Sequence, residues 1–335
     1  MRIRSTRSPL AALSRRHFLG ASASSLLLTS MLTKAQTPAL PVSADSADPS
    51  ASQPPDRINA ASDAAQRLTV NVRLNGTGPY RFVVDTGADR SVVADDVAAN
   101  LGPLRGRQVV LRGIVRTMAT ETVHVRELAV GSARHQRIEM PVVPRSMLEA
   151  DGYLGLDTID GYRVTFDFKQ HALEIDASHS SGMWYLARPD QARVRTVGSA
   201  GRLRSLDCKV AGVSTTAFID SGAEVSVGNP PLLNALGRHH PLRVELGTLP
   251  LTGVTGGQVI GQLTVIDRIS LQDLEFTDCT LVIADLPIFD IWGLTQQPAL
   301  LIGMNYLRQF ARVSIDYRTK EIRFDLASLL AAQPA

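Results

Sequence analysis

Apolar and polar residues alternate through Leu68-Thr69-Val70-Asn71-Val72-Arg73-Leu74, the period of a half-buried strand. A turn at Asn75-Gly76-Thr77-Gly78-Pro79 follows, and residues 80–84 return to extended structure, so the stretch predicts a hairpin that delivers Asp85 to a loop. The plan recurs later in the chain. Residues 202–210 predict a strand, Ala211-Gly212 a turn, and residues 215–219 a second strand that ends at Asp220. Short helices are predicted over 94–101, 230–236 and 305–310, with no long amphipathic helix between them. The predicted fold class is therefore mainly β.

The two hairpins end in nearly the same words: Arg81-Phe82-Val83-Val84-Asp85-Thr86-Gly87-Ala88 and Thr216-Ala217-Phe218-Ile219-Asp220-Ser221-Gly222-Ala223. Their flanks match as well, which a chance tripeptide would not do. Tyr153-Leu154-Gly155-Leu156-Asp157 leads into Val164-Thr165-Phe166-Asp167, as Leu301-Ile302-Gly303-Met304-Asn305 leads into Val313-Ser314-Ile315-Asp316. Between acid and glycine each copy carries a hydrophobic turn, Leu111-Arg112-Gly113-Ile114 and Leu251-Thr252-Gly253-Val254. Two acids from two copies of one unit can meet across a pseudo-two-fold axis and share a proton, which is how paired carboxylates activate water.

Composition narrows the setting. The 335 residues carry a formal net charge of +3, almost all of the positive charge from arginine, since Lys34, Lys169, Lys209 and Lys320 are the only lysines. These arginines are dispersed and lack an accompanying aromatic stripe, which argues against a nucleic-acid partner. Ser14-Arg15-Arg16-His17-Phe18-Leu19-Gly20 precedes a short apolar stretch and small residues near Ala35, resembling a twin-arginine export signal over 1–35. A periplasmic or secreted location is expected. Residues 36–65, rich in Ala, Ser, Pro and Asp, read as a disordered linker. Beyond the N-terminus no run reaches the ~20 apolar residues of a membrane span, so stable insertion is not expected once the signal is removed. Cys208 and Cys279 are the only cysteines; an oxidising compartment permits a bridge, with two buried thiols on separate strands as the alternative, and their spacing excludes a usual zinc site.

The motifs Val83-Val84-Asp85-Thr86-Gly87-Ala88-Asp89 with Ser91-Val92-Val93, Phe218-Ile219-Asp220-Ser221-Gly222-Ala223-Glu224 with Ser226-Val227, and the downstream Tyr153-Leu154-Gly155 and Leu301-Ile302-Gly303 resemble the retropepsin-like aspartic peptidases. The resemblance spans about 66–326. It implies two fused β-barrel lobes, 66–178 and 199–330, joined by a connector over 179–198, with a pseudo-two-fold axis between them. It also implies an aspartic-type endopeptidase in which Asp85 and Asp220 are catalytic. Two such carboxyls about 3 Å apart cannot easily both ionise, so the ionised member takes a proton from water while the protonated one donates to the scissile carbonyl. Neither a metal nor another cofactor is expected. By the same resemblance Thr86 and Ser221 bond across the lobe interface, Gly87 and Gly222 keep side chains out of the dyad, and the turns bearing Gly113, Ile114, Gly253 and Val254 are flaps over an extended peptide or protein substrate.

Several residues invite a functional reading but carry a plainer one. Arg112 and Arg116 on the first turn suit acidic substrates, yet exposed loop arginines are usually solvated. Asp89 and Glu224 read as loop acids and not as metal ligands, and His239-His240 as a loop without metallopeptidase spacing. Trp184, Tyr185, Trp292 and Tyr306 read first as core or lobe contacts. Two other arrangements fit the same chain: a peptide-binding module that cleaves weakly or not at all, and a homodimer with two dyads. Intact acids count against the first, and unequal flaps favour a monomer with one intramolecular dyad over the second.

Overall fold

The computed structural model describes residues 2–5, 56–63, 67–102, 105–177, 190–198, 203–239 and 245–326. The first lobe contains β2 (Asp56–Ser62), β3 (Leu68–Leu74), β4 (Thr77–Val84), β5 (Val92–Ala94), β6 (Arg105–Arg112), β7 (Thr117–Val130), β8 (Ala133–Val143), β9 (Gly152–Leu154), β10 (Tyr162–Asp167) and β11 (Ala172–Ala177). The second contains β12 (Gln191–Arg195), β13 (Arg204–Val210), β14 (Val213–Ile219), β15 (Val227–Gly228), β16 (Glu245–Thr252), β17 (Gln258–Leu271), β18 (Leu274–Ile283), β19 (Ala299–Ile302), β20 (Arg312–Asp316) and β21 (Glu321–Asp325). An additional strand, β1 (Arg2–Ser5), lies antiparallel to β18 with Ile3 opposite Phe276. Helices are short: α1 (Asp95–Asn100), α2 (Arg145–Leu148), α3 (Leu156–Ile159), α4 (Pro230–His239), α5 (Pro287–Ile291) and α6 (Met304–Leu307). None of the described helices is long and apolar enough to cross a membrane.

The duplicated sequence folds into duplicated pairings. In the first lobe β3 and β4 form the predicted hairpin, β9 runs parallel to β4, and β5 lies antiparallel to β9 and parallel to β8. In the second β13 and β14 form the hairpin, β19 runs parallel to β14, and β15 lies antiparallel to β19 and parallel to β18. The alternation in β3 holds from Val70 onward: Val70, Val72 and Leu74 are buried while Asn71 and Arg73 face solvent, but Thr69 is buried along with Leu68. Phe82, Val83 and Val84 are buried in succession because the end of β4 is covered on both faces. That burial makes the strand a rigid arm for the loop beginning at Asp85.

The lobes are joined by a six-stranded arrangement in the order β12-β21-β20-β10-β11-β2. Its buried side chains include Ile58, Val164, Leu173, Val194, Ile315 and Phe324, drawn from both lobes. Two linker expectations are corrected here. Residues 56–62, assigned to the 36–65 linker, form β2, which pairs with β11 (Ile58 opposite Leu173) and β3 (Ala60 opposite Val70). Residues 191–195, assigned to the 179–198 connector, form β12 against β21. Composition missed both because a sheet strand can draw its order from backbone pairing and one or two apolar side chains, here Ile58 in β2 and Ala192 and Val194 in β12. Arg57 adds ion pairs to Asp167 and Glu174, and Arg312 of the second lobe pairs with the same two acids. His239, expected in a loop, closes α4. Trp184, Tyr185, His240, residues 36–55 and 64–65 of the expected linker, residues 179–189 of the expected connector, and all of the expected leader except β1 lie outside the described residues.

Cys208 on β13 and Cys279 on β18 are both buried and unbridged. Burial pushes their thiols up to about 12 and about 11, so both stay protonated at neutral pH.

The position of β2 sets a test. A chain beginning at residue 66 loses Ile58 from the core, a change that alone costs about 2–5 kcal/mol for a buried Ile truncation, together with the Arg57 ion pairs. Its denaturant midpoint should fall clearly below that of a chain beginning at residue 55. Equal midpoints would show that β2 is dispensable.

Candidate active site

Asp85 and Asp220 each follow the last residue of a central strand, and each strand end is anchored in the same way. The Asp85 amide donates to the Leu154 carbonyl at 2.9 Å, and the Asp220 amide to the Ile302 carbonyl at 2.9 Å. The loops then turn toward each other. Thr86 N–H donates to Ser221 Oγ at 3.1 Å and Ser221 N–H to Thr86 Oγ1 at 3.0 Å. Thr86 Oγ1 donates to the Ile219 carbonyl at 3.2 Å, and Ser221 Oγ to the Val84 carbonyl at 2.7 Å. Each hydroxyl accepts from the opposite amide and donates to the opposite strand, and Thr86 and Ser221 are both buried.

This exchange brings the two carboxyls close enough for each to perturb the ionisation of the other. Asp85 Oδ1 accepts from the amides of Gly87 at 2.8 Å and Ala88 at 3.1 Å, and Asp220 Oδ1 accepts from Gly222 at 2.8 Å. Neither glycine tolerates a side chain, because a Cβ on Gly87 would lie 2.7 Å from Asp220 Cγ and one on Gly222 only 2.4 Å from Asp85 Cγ. Burial raises Asp85 above the usual carboxylate value, opposed by the Gly87 amide, Asp220, the Ala88 amide and Arg67. Burial, reinforced by the charge of Asp85, holds Asp220 well above it. The arrangement is that of two acids holding one negative charge between them.

The hydrophobic turns are the tips of two long hairpins, β6–β7 and β16–β17. Gly113 N–H closes the first turn on the Arg116 carbonyl at 3.0 Å, and Gly256 N–H closes the second on the Gly253 carbonyl at 2.8 Å. The tips touch. Arg116 Nε donates to the Thr255 carbonyl at 2.7 Å, and Thr255 Oγ1 donates to the Arg116 carbonyl at 2.7 Å. Arg112 and Arg116 are both exposed, but Arg116 is bonded across the tips and not simply solvated. Ile114 and Val254 are half-buried, Val115 is buried, and a Cβ on Gly253 would lie 3.2 Å from that of Val115.

A family model described as aspartyl protease matches residues 70–158 and 206–306, more than half of the chain. The chain belongs to the aspartyl protease family. Its two matched segments each contain one Asp-Thr/Ser-Gly and one downstream glycine, so this aspartyl protease carries two fused retropepsin-like lobes. Among curated proteins no significant match is found.

Some supports of this aspartyl protease site have no assigned role in the sequence reading. Ser91 Oγ donates to Asp157 Oδ1 at 2.6 Å and accepts the Gly155 amide at 3.0 Å; Ser226 Oγ donates to Asn305 Oδ1 at 2.8 Å and accepts the Gly303 amide at 2.9 Å. Aligning the copies places a serine at the same offset after each aspartate and an Asp or Asn at the same offset after each glycine, which is the signal that could have found them. Asp63, beside the first dyad loop, has no such repeat, since Gly198 stands at its offset before Asp220; Arg202, at the offset of Arg67, lies outside the described residues. Asp89 and Glu224 are exposed, and no group of His, Cys, Asp or Glu among the described residues is arranged to hold a metal ion. Trp292 is half-buried and stacks on Phe218 at 4.3 Å, while Tyr306 is buried and donates to the Thr280 carbonyl at 2.8 Å.

Because folding raises the pKa of both acids, the protonated pair is the form the fold favours. Its contribution to stability is fully present below the unfolded carboxylate value, about 3.9, and is lost as pH rises through the higher folded values. Asp220→Asn, which keeps an acceptor for the Gly222 amide, should therefore melt above the parent at pH 7 and converge with it near pH 4. A thermal melt series across pH checks this; a parent as stable as the variant at pH 7 contradicts the raised values.

Proposed function

We propose that the chain is an exported aspartic endopeptidase that hydrolyses peptide bonds in extended segments of peptides or proteins. Water held between Asp85 and Asp220 is the nucleophile. The ionised carboxyl takes its proton as the oxygen attacks the scissile carbonyl carbon, and the protonated carboxyl donates to the carbonyl oxygen, giving a neutral tetrahedral diol. Proton transfer to the amine nitrogen and collapse of the diol break the C–N bond and restore one proton to the dyad. The observation that carries the reading is the reciprocal Thr86–Ser221 exchange that presses two buried carboxyls into one site. The flap hairpins, tipped by Gly113-Ile114 and Gly253-Val254, support it, since an extended peptide needs backbone partners on the side away from the dyad. Export rests on the twin-arginine-type leader, and action as a monomer on both acids lying in one chain.

The test is incubation of the protein with a peptide library across pH, with Asp85→Asn and Asp220→Asn as controls. The parent should cleave internal bonds, and each variant should lose at least about a thousandfold in kcat/KM while remaining folded, since each lacks one half of the acid–base pair. Full activity in either variant would end the shared-dyad mechanism. Binding of peptides without cleavage at any pH would instead make the chain a peptide-binding module.

A further inference from the structure

The scaffold repeats, but the immediate surroundings of the two acids do not. Val83 and Asp85 lie on one face of β4, since side chains two apart point the same way, and the registered neighbour of Val83 on parallel β9 is Tyr153. In the second lobe the matching face of β14 holds Phe218 and Asp220, and the neighbour of Phe218 on β19 is Leu301. Tyr153 is covered by Arg67, whose guanidinium carbon sits 5.3 Å from the ring centroid and whose Nη1 donates to the tyrosine hydroxyl. Phe218 is covered instead by Trp292, which packs edge-on against Phe289. Asp85 is also the more exposed acid, being half-buried where Asp220 is 7% exposed. One acid thus shares its face with a cation and a phenol, the other with an aromatic stack.

We propose that Arg67 is a positioning residue that fixes the division of labour in the dyad, keeping the negative charge on Asp85, which takes the proton from water, and leaving the proton on Asp220, which donates to the substrate carbonyl. This rests on the peptidase reading above. The titratable groups that act on the dyad among the described residues fit it. Asp63 holds Arg67 by its Nε and Nη2 edge, at 2.7 Å on each nitrogen, so the Nη1 edge remains directed at Tyr153. Burial works against the Arg67 charge, yet Tyr153, Asp63 and, least, Asp85 hold it above its ordinary value. Burial keeps Tyr153 protonated, and burial together with Asp85, Asp160 and Asp220 does the same to Tyr317 at the end of β20, so neither phenol carries charge where carboxyls titrate. Burial raises both acids; Arg67 is the cation among the groups that oppose this at Asp85, after the Gly87 amide, Asp220 and the Ala88 amide, whereas at Asp220 the charge of Asp85 adds to burial.

The pH dependence of kcat/KM for a cleaved library peptide is measured in the full chain for the parent, Arg67→Met, Arg67→Lys and Tyr153→Phe. In parallel the dyad carboxyl carbons are titrated by NMR in aspartate-labelled protein, with Asp85→Asn and Asp220→Asn giving the assignments. Removing the cation disfavours the charged form, so in Arg67→Met the acidic limb and the first dyad titration should both move up, by about half to one pH unit for a partly screened charge. Arg67→Lys should restore them, and Tyr153→Phe should move them part of the way while keeping the ring under Arg67. An unmoved limb and titration in folded Arg67→Met overturns the proposal, as does a first ionisation located on Asp220. Should Arg67→Met fail to fold, Arg67→Lys and Tyr153→Phe decide by the same readings. The NMR titration needs no turnover. A chain that cleaves nothing yet shows the shift refutes the peptidase reading and keeps the charge on Asp85, whereas normal cleavage without the shift refutes only the role of Arg67.

Discussion

Two carboxyls buried side by side repel as soon as both ionise, and something other than their own contact must hold them together. Here it is the crossed exchange between Thr86 and Ser221, in which each hydroxyl donates one bond and accepts one bond across the lobe interface. A buried hydrogen bond contributes about 0.5–1.5 kcal/mol net, but leaving one of these groups without its partner costs about 1–3 kcal/mol. The exchange therefore specifies position more than it adds stability: a small separation of the lobes breaks four buried hydrogen bonds at once. The rest of the fold is arranged to deliver these loops. Strands β4 and β14 are held at their ends by β9 and β19, and the shared sheet β12-β21-β20-β10-β11-β2 ties the lobes together with covalent and hydrogen-bonded continuity.

Duplication explains why so few residues specify so much. The Ser91–Asp157 and Ser226–Asn305 contacts, the two strand-end amides and the two glycines beneath the dyad are the same solution written twice. Chemistry, however, needs one acid and one base, and two identical halves cannot say which is which. The difference enters where the copies diverge, at Tyr153 against Leu301 and Val83 against Phe218. A cation over a phenol on one side and an aromatic stack on the other break the symmetry without moving either aspartate.

What is legible in the sequence follows from what repeats. The hairpins, the two acids, their glycines and the crossed hydroxyls all recur at matching offsets, so aligning the chain with itself places them before any coordinate is known. The segments that escape are those whose copies share little sequence: β2 against β11 and β12 against β21 are structural counterparts, yet Ile58 and Val194 are set in unlike surroundings. Strand β2 has a linker-like composition, and its order comes from backbone pairing to β11 and β3, partners distant in sequence. Strand β12 is hidden in the connector for the same reason. Arg67 reads as one dispersed arginine among many, since its meaning depends on Tyr153 arriving from β9. Periodicity reports which face a residue takes, while the neighbour on that face is set by register over long separations.

The flap contact repeats the logic of the dyad floor with the opposite consequence. Arg116 and Thr255 also exchange bonds across the pseudo-axis, and their fit also depends on unequal copies: the position matching Arg116 in the second turn is Gly256, where a Cβ would lie 2.8 Å from Arg116 Nη2. Arg116 is exposed, however, so water can replace its partner when the contact opens. Thr86 and Ser221 are buried, and water cannot reach them at comparable cost. Two reciprocal hydrogen-bonded pairs on one axis thus differ chiefly in their access to solvent. That difference leaves the Thr86–Ser221 exchange fixed, while the contact between the hairpin tips can open to water at little cost.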